Sequence, residues 1–172
     1  MSQGAISPDR CFSSKGIPMA TTTPDGEFGE FVRRCRAAVG QQVSGRTEAF
    51  QALWSHADDV VLIGAAGSHQ VGWSDVSAQL TWASQRLDFG NFAVTNLLLG
   101  VADNLAFTVD LEDMSHEVDG QTQRRTLRSS QGYRFEDGQW RVVFRHGDPM
   151  AEPITPPKPA NPRSAISSVA AP

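Results

Sequence analysis

The stretch Tyr133-Arg-Phe-Glu-Asp-Gly-Gln-Trp-Arg-Val-Val-Phe-Arg-His-Gly-Asp148 decides the fold. It predicts two antiparallel strands joined at Glu136-Asp137-Gly138, because Asp-Gly between two strand-forming runs is a strong hairpin signal. Successive side chains of a strand point to opposite faces of the sheet. In the second strand this alternation predicts one face with Trp140, Val142, Phe144 and His146, and an opposite face with Arg141, Val143 and Arg145.

Three more long strands are predicted before the last one. Turn signals at Asp103-Asn104 and Asp119-Gly120 separate them, in addition to the turn of the closing hairpin. The second half of the chain is therefore predicted to be a long antiparallel meander. Its strands are expected over residues 92–101, 105–118, 126–135 and 140–147.

Three helices are predicted in the first half of the chain. Over residues 28–40, apolar side chains recur at steps of three and four, which is typical of an amphipathic helix. A second helical stretch opens at Thr47, and Ser74 or Asp75 caps a third one that ends before Gly90. The apolar stripe of the first helix consists of Phe28, Phe31, Val32, Cys35 and Val39.

Two short strands are predicted between the second and third helices. Residues 60–63 form an apolar run bounded by glycines, and residues 69–72 are consistent with a short return strand. Helices that precede a meander of strands favour an α+β fold, in which the helices cover one face of a curved sheet.

Both ends of the chain are predicted to be disordered tails. Residues 1–27 are rich in Ser, Thr, Gly and Pro, and residues 151–172 are rich in Pro, so neither end buries enough apolar surface to offset its ordering entropy. One domain is therefore expected over residues 28–150. Met19 is an alternative start of the reading frame, which would make residues 1–18 an upstream extension.

The composition is typical of one globular domain that is not built for a polyanionic partner. The 172 residues are 40% hydrophobic and 20% charged, with a net charge of -4. A chain with this balance lacks the basic surface by which proteins bind nucleic acid or anionic membranes. It also has no run of about 20 apolar residues that would span a bilayer. Cys11 and Cys35 do not make a disulfide framework, so we expect a reduced, cytoplasmic protein.

The second long strand separates apolar from polar side chains. Phe107, Val109 and Leu111 alternate with Thr108, Asp110 and Glu112, and Asp113 continues the apolar side. We expect the apolar side to face the helices. The opposite face of the sheet would then be either solvated or a dimer interface, and it would carry Asp110, Glu112, Arg128, Arg134, Arg141 and Arg145.

The order of these elements resembles the nuclear transport factor 2-like superfamily, and within it the SnoaL-like group. Four stretches carry the resemblance: Ala57-Asp-Asp-Val-Val61, Gly72-Trp73, Ala106-Phe-Thr-Val109 and the closing hairpin. The resemblance implies a cone-shaped half-barrel, in which a curved antiparallel sheet wraps around the N-terminal helices and encloses a central pocket. It also implies a homodimer formed through the outer, convex face of the sheet.

The superfamily includes steroid isomerases, polyketide cyclases, dehydratases, epoxide hydrolases and proteins without known catalysis, so the resemblance does not choose a reaction. In the steroid isomerase pattern a tyrosine and two carboxylic acids converge on the ligand, and the matching positions here are Cys35, Gly64 and Gln131. All three differ from the pattern. Proton abstraction needs a base within hydrogen-bond reach of the carbon acid, so a faithful steroid isomerase is excluded.

His146, Asp148 and Asp113 are the candidate catalytic residues in the pocket that the resemblance implies. An imidazole with a pKa close to neutral acts as acid or base, and Asp148 could orient its ring. Asp113 would supply a second carboxylate at the pocket mouth. The alternative for each is structural: a histidine bonded to a carbonyl or to Asp148, and solvated carboxylates at strand ends.

Aromatic and amide side chains are the candidate ligand contacts. Gln131 and Tyr133 could each donate a hydrogen bond to a substrate carbonyl. Large apolar side chains suit a site for a flat or cyclic molecule, and core packing is their alternative role. The expected wall consists of Trp54, Trp82, Trp140, Phe50, Phe107 and Phe144.

Neither a metal nor an organic cofactor is expected. The four histidines show no i, i+4 spacing, neither cysteine has a Cys-x-x-Cys partner, and the glycines lack a phosphate-binding spacing. Two functions stay open. The first is a homodimeric protein that binds a small hydrophobic molecule and isomerises, dehydrates or cyclises it without a cofactor by means of His146. The second is a non-catalytic module for ligand binding or dimeric assembly.

Overall fold

The computed structural model describes residues 19–20 and 26–150. The predicted tails therefore lie outside the described residues, except for four positions. Met19 and Ala20 pair with Gly100 and Leu99 as a two-residue edge strand, and residues 26–27 lead into the first helix.

Three helices form the first layer of the fold: α1 spans Glu27–Val43, α2 spans Glu48–Gln51, and α3 spans Trp73–Ser84. The helix α1 buries the predicted apolar stripe, because residues three and four apart lie on the same face of a helix. The helix α3 begins at Trp73, and its N-cap is Gly72, two residues before the first predicted cap, Ser74. Gly72 has a φ of 86°, which favours glycine.

Seven strands form one sheet in the order β1-β4-β5-β6-β7-β2-β3. The sheet is antiparallel throughout except between β2 and β7, which run parallel. The predicted α+β fold, with helices on one face of a curved sheet, is confirmed. The bounds of the strands are Met19–Ala20, Val61–Ile63, His69–Val71, Asn91–Val101, Leu105–Val118, Gln121–Glu136 and Gln139–Pro149, numbered β1 to β7.

The two predicted Asp-Gly turns join the long strands. Asp119 and Asp137 have φ angles of 51° and 49°, and the glycines that follow them also have positive φ. Two-residue turns of this type match the right-handed twist of the strands, and they need residues that tolerate positive φ. The meander of β5, β6 and β7 was thus correctly predicted from the turn chemistry.

A bulge in β7 reverses the alternation of its side chains. Val142 pairs with Tyr133 and Phe144 pairs with Gly132, so Val143 is an extra residue on β7. An extra residue moves every following side chain to the other face of the sheet. Trp140, Val142, Arg145 and Gly147 consequently lie on the inner face, towards the helices, and Phe144, His146 and Asp148 lie on the outer face.

The prediction that Trp140, Val142, Phe144 and His146 share one face is therefore wrong. Only Trp140 and Val142 belong to the hydrophobic core. The prediction for Arg145 is wrong for the same reason. It was expected on the outer face, but it is buried on the inner face.

The predicted faces of β5 are also reversed. Thr108, Asp110 and Glu112 are buried on the inner face, while the alternating apolar residues are half-buried on the outer face. Buried carboxylates are tolerated only when they are paired. Arg36 of α1 donates to Asp110 at 2.9 Å, and Arg145 of β7 pairs with Glu112. The helices thus cover a polar inner face, and the outer face holds Phe107, Val109 and Leu111.

The hydrophobic core fills one end of the cone between α1 and the sheet. The Phe28 ring lies 4.7 Å from Trp140 and 5.5 Å from Tyr133, measured between centroids. Phe31 makes an edge contact with Tyr133 at 5.6 Å. A second, smaller cluster lies at the other end and consists of Val43, Phe89, Met114 and Leu127.

Candidate functional site

A cavity of about 300 Å³ lies between the helices and the inner face, next to the smaller apolar cluster. This volume is at the small end of the range for ligand sites. The helices α1 and α3, the β2–β3 connection and strands β5 to β7 all contribute to its wall. Much of the wall is apolar and includes Val39, Leu62, Leu80, Phe89, Met114 and Leu127.

Arg145 is the buried charge in the wall of the cavity. Its Nη1 and Nη2 donate to Glu112 Oε1 and Oε2 at 2.8 and 2.6 Å, which is the bidentate geometry that makes such pairs strong. Ser129 Oγ donates to Glu112 Oε1 at 2.8 Å. Burial opposes both charges, but the pairing outweighs it, so the pKa of Glu112 is lowered and the pKa of Arg145 is raised. Both groups are therefore ionised at neutral pH.

A second buried carboxylate, Asp110, is held in the same way. Its Oδ1 accepts hydrogen bonds from Arg36 Nη2 at 2.9 Å and from Asn96 Nδ2 at 2.7 Å. The two interior carboxylates, Asp110 and Glu112, are thus bound to protein cations and are not among the residues that line the cavity.

The three positions that match the steroid isomerase pattern lie in or beside this interior. Cys35 Sγ donates to Gln131 Oε1 at 3.7 Å, and both side chains are buried. Burial raises the pKa of Cys35 to about 12, so this thiol stays protonated. Gly64 lines the cavity, and a Cβ there would lie 2.8 Å from Ser68 Oγ. A side chain at position 64 would therefore displace Ser68.

Two polar atoms of the cavity wall have no hydrogen-bond partner among the described residues. Gln42 donates from Nε2 to the Leu80 carbonyl at 2.8 Å, but its Oε1 is unpaired although the residue is 95% buried. Ser68 Oγ is also buried and unpaired. An unpaired buried acceptor is costly, so both atoms are suited to a hydroxyl or amine of a ligand.

Of the predicted site residues, the structure brings Trp82 and Phe50 to the cavity. Trp54, Gln131, Tyr133 and Trp140 are buried in the interior, where Tyr133 Oη lies 3.0 Å from Thr108 Oγ1. Burial raises the pKa of Tyr133 well above its usual value. The remaining predicted residues, Phe107, Phe144, His146, Asp148 and Asp113, lie on the outer face.

The three predicted catalytic residues are not grouped around a cavity. His146 is half-buried and pairs with Ser130 and Ile63 in the sheet. Asp148 forms an ion pair with Arg128, and Asp113 accepts a hydrogen bond from Thr126 at 2.5 Å. Their catalytic roles stay predictions, and any site around the cavity has to be built from other side chains.

Several polar residues that line the cavity were not predicted from the sequence. Arg145 was assigned to the wrong face, and Gln42, Arg86 and Arg125 were not considered. Gln42 carried a usable signal, because it follows Val39 at a step of three and so extends the buried stripe of α1. A polar side chain on an otherwise apolar stripe is a candidate for an interior hydrogen bond or a ligand contact.

Within the described residues, no three His, Cys, Asp or Glu side chains come together as a metal site. Between residues 26 and 150, none of the helices combines the length and the apolar character needed to cross a membrane.

Comparison with protein families matches residues 36–152, well over half of the chain, to the SnoaL-like domain. The chain belongs to the SnoaL-like domain family. The resemblance inferred from the four sequence stretches is thereby confirmed. A comparison of this chain with curated proteins gave no match.

Solved structures share the fold, and several of them are described as proteins of the nuclear transport factor 2-like superfamily. A candidate calcium/calmodulin-dependent protein kinase type II association domain from Thiobacillus denitrificans has 20% identity and a TM-score of 0.60, over 70% of this chain and 93% of that one. A candidate ketosteroid isomerase from Parabacteroides distasonis has 16% identity and a TM-score of 0.58, over 76% of this chain and 93% of that one. A candidate dehydratase of the superfamily from Streptomyces avermitilis has 15% identity and a TM-score of 0.57, over 72% of this chain and 97% of that one. At these identities the likeness concerns the fold alone.

Proposed function

We propose that this SnoaL-like domain binds a small, mainly apolar organic molecule in its cavity. The observation that carries the proposal is the cavity itself: about 300 Å³ of space with an apolar wall, beside the hydrophobic core. Interiors of proteins leave few voids larger than a water molecule, so a space of this size is unusual. The unpaired Gln42 and Ser68 oxygens add polar contacts that would orient the ligand.

The side chains around the cavity support binding better than proton transfer. Among the described residues that line it, the ionisable groups are Arg86, Arg125 and Arg145. A guanidinium group does not give up its proton at neutral pH, so it holds an anion but does not act as a base. We therefore favour a ligand-binding module over an isomerase, dehydratase or cyclase.

Filling the cavity is expected to abolish binding. Ala83 of α3 lines the cavity, whereas Ala78 of the same helix is exposed and does not. We expect Ala83→Phe to weaken binding of the neutral fluorescent probe N-phenyl-1-naphthylamine by at least about tenfold, because the added ring occupies the volume that a ligand needs. The measurement is a fluorescence titration.

The Ala78→Phe variant is the matched control, because it adds the same ring to the solvent side of α3. It should bind the probe as the wild type does. A wild type that does not bind the probe, or an Ala83→Phe variant that binds it unchanged, would contradict a ligand site in this cavity.

Catalysis by His146, which the sequence predicted as the leading catalytic candidate, is the competing proposal. It would require a substrate at the outer face, where His146 lies, because the cavity is on the inner face. Once a substrate is identified, equal turnover by the wild type and His146→Ala would end that proposal.

A homodimer through the outer face is the second part of the proposal, and the register of the sheet supports it. One row of successively paired residues crosses five strands and consists of Phe107, Gly132, Phe144, Val61 and Val71. All but Gly132 are apolar side chains, and Val71 is 59% exposed. A contiguous apolar patch on a protein surface marks an interaction site. The predicted interface made of charges is thus replaced by an apolar one, since Asp110, Glu112 and Arg145 face inward.

We expect Phe144→Arg to convert a dimer into a monomer, because it places a charge at the centre of this apolar row. Light scattering after size exclusion should show a wild type of twice the chain mass of 18.6 kDa and a variant of that single mass. The control is Val118→Arg, which changes an exposed valine at the tip of the β5–β6 hairpin. A monomeric wild type, or a variant that remains dimeric, would rule out this interface.

The proposal also places the protein in a reducing, cytoplasmic setting. Cys35, the cysteine within the described residues, is a free thiol buried in the core.

A further inference from the structure

We infer that the ligand of the cavity is an organic acid, whose carboxylate is held by Arg86 and Arg125 while its apolar part occupies the interior. This inference rests on the proposed ligand-binding function and specifies the chemical class of the ligand. We call Arg86 and Arg125 the arginine rim, because both are exposed side chains that line the cavity.

Arg86 lies just beyond the end of α3 and is held against an aromatic ring. Its Nη1 donates to the Trp82 carbonyl at 3.0 Å, and its guanidinium carbon lies 4.2 Å from the centroid of the Trp82 ring. Trp82 itself lines the cavity and is 43% exposed. A guanidinium has five N–H donors, so this arrangement orients Arg86 and leaves donors for an anion.

Arg125 reaches the rim from the opposite wall. It pairs with Met114 in the sheet, and Met114 is a buried residue that lines the cavity. Arg125 therefore belongs to the inner face, while its neighbour Arg124 belongs to the outer face. Among the described residues, Arg125 forms no ion pair.

The balance of charge around the cavity favours an anion. Three arginines and no carboxylate are among the described residues that line it. Because Glu112 already neutralises Arg145, Arg86 and Arg125 are the two cations that can hold a ligand. The interior carboxylates are already bound, Glu112 to Arg145 and Asp110 to Arg36. The whole chain has a net charge of -4, so this group of cations runs against the overall charge of the protein. Cations that line a cleft with low-dielectric walls concentrate anions there.

The size and polarity of the cavity narrow the class further. A volume of about 300 Å³ with an apolar wall suits a compact aromatic or short aliphatic body better than a sugar or a nucleotide. The rim is exposed, so a carboxylate can be paired with arginines there without losing all of its hydration. An apolar monocarboxylic acid fits both parts of the site.

A pair of isosteric probes tests the inference: 1-naphthaleneacetic acid and its uncharged amide, 1-naphthaleneacetamide. Both would compete with N-phenyl-1-naphthylamine in the fluorescence titration. We expect the acid to bind about tenfold more tightly than the amide, because each exposed charge pair contributes up to a few-fold and two arginines take part. The preference should shrink at high salt, which screens exposed charges.

The double variant Arg86→Gln/Arg125→Gln should lose the preference for the acid and keep the affinity for the amide. Arg124→Gln is the matched control, because it removes the same charge from the neighbouring position on the other face of β6. It should keep the preference. Two probes of equal affinity, or a preference that survives in the double variant, would overturn the inference and leave the proposed function intact. Failure of the wild type to bind N-phenyl-1-naphthylamine would instead contradict the proposed function.

Discussion

Replacing Glu112 by Gln is expected to lower the free energy of unfolding by about 3–5 kcal/mol, the usual cost of breaking a buried ion pair. Glu112 is 2% exposed and forms two hydrogen bonds with Arg145 and one with Ser129. The amide keeps the shape of the side chain but removes its charge, so Arg145 would be left buried without a counter-ion. Chemical denaturation of the wild type and the variant measures the difference.

Glu117→Gln is the matched control on the same strand. Glu117 is exposed and accepts a hydrogen bond from Thr122 at 2.5 Å, so its loss should change stability by only about 0.5 kcal/mol or less. A second check is the double variant Glu112→Leu/Arg145→Met. It should cost less than either single substitution, because neither charge is then left alone in the interior. If the loss of stability in the double variant equals the sum of the losses in the two single variants, Glu112 and Arg145 are not a coupled pair.

Lowering the pH should reduce the difference in the free energy of unfolding between the wild type and Glu112→Gln. The pKa of Glu112 is lowered in the folded protein, because Arg145 and Ser129 together outweigh the effect of burial. The ionised pair therefore stabilises the fold fully above the ordinary glutamate pKa of about 4.3. This contribution is lost as the pH falls through the lowered pKa of the folded state. A difference that stays constant throughout that acid range would show that the pair does not depend on ionisation.

Replacing Phe50 by Ala is expected to lower the free energy of unfolding by about 3–5 kcal/mol. Phe50 is 1% exposed and forms the wall between the hydrophobic core and the cavity. Its ring makes an edge contact with Trp54 at 5.9 Å, and the Arg145 guanidinium lies 5.8 Å from its centroid. Removing the ring would join its volume to the existing cavity, so the surroundings cannot collapse to fill it. Thermal and chemical unfolding both measure the loss.

Phe135→Ala is the control for the loss of a phenyl ring. Phe135 makes a similar edge contact with Trp140 at 5.5 Å but is 36% exposed. Since less apolar surface is buried there, it should cost well under half as much. If the two variants cost the same, Phe50 is not the wall that the structure assigns to it. Phe50→Leu should cost less than about 1.5 kcal/mol, because most of the volume is retained.

The elements of the fold could be predicted well because their signals are local. The apolar stripe of α1 requires only residues three and four apart, and each Asp-Gly turn requires only two adjacent residues. The same holds for the strands that these turns join. Helices before strands then leave few arrangements, which is why the α+β fold could be named from the order of elements.

The faces of the strands could not be predicted, because they depend on pairs that are distant in the sequence. Val142-Val143 reads as two ordinary strand residues, and the bulge there exists only in relation to Gly132 and Tyr133 on the neighbouring strand. That single extra residue moved Arg145 inward and His146 outward. On β5 the charges face inward because Arg36 and Arg145 meet them there, and neither partner is close in sequence.

The candidate site likewise combines residues that the sequence predicted with residues that only the tertiary structure brings together. Trp82 and Phe50 were predicted at the site and lie there. The sequence alone also showed that position 64 is a glycine, where the steroid isomerase pattern has a carboxylate. Gln42, Arg86 and Arg125 come from three separate elements, so nothing in their spacing predicts that they line one cavity.

The sequence by itself determined the helices, the strands β2 to β7, the turns and the family. Those features depend on side-chain periodicity and turn chemistry within a few residues of one another. Only the tertiary structure decided which face of the sheet is interior, which charges are buried together, and where a ligand has room. A one-residue change of register reverses a strand face without altering any local signal, and that is why the closing hairpin correctly predicted the fold but misplaced its histidine.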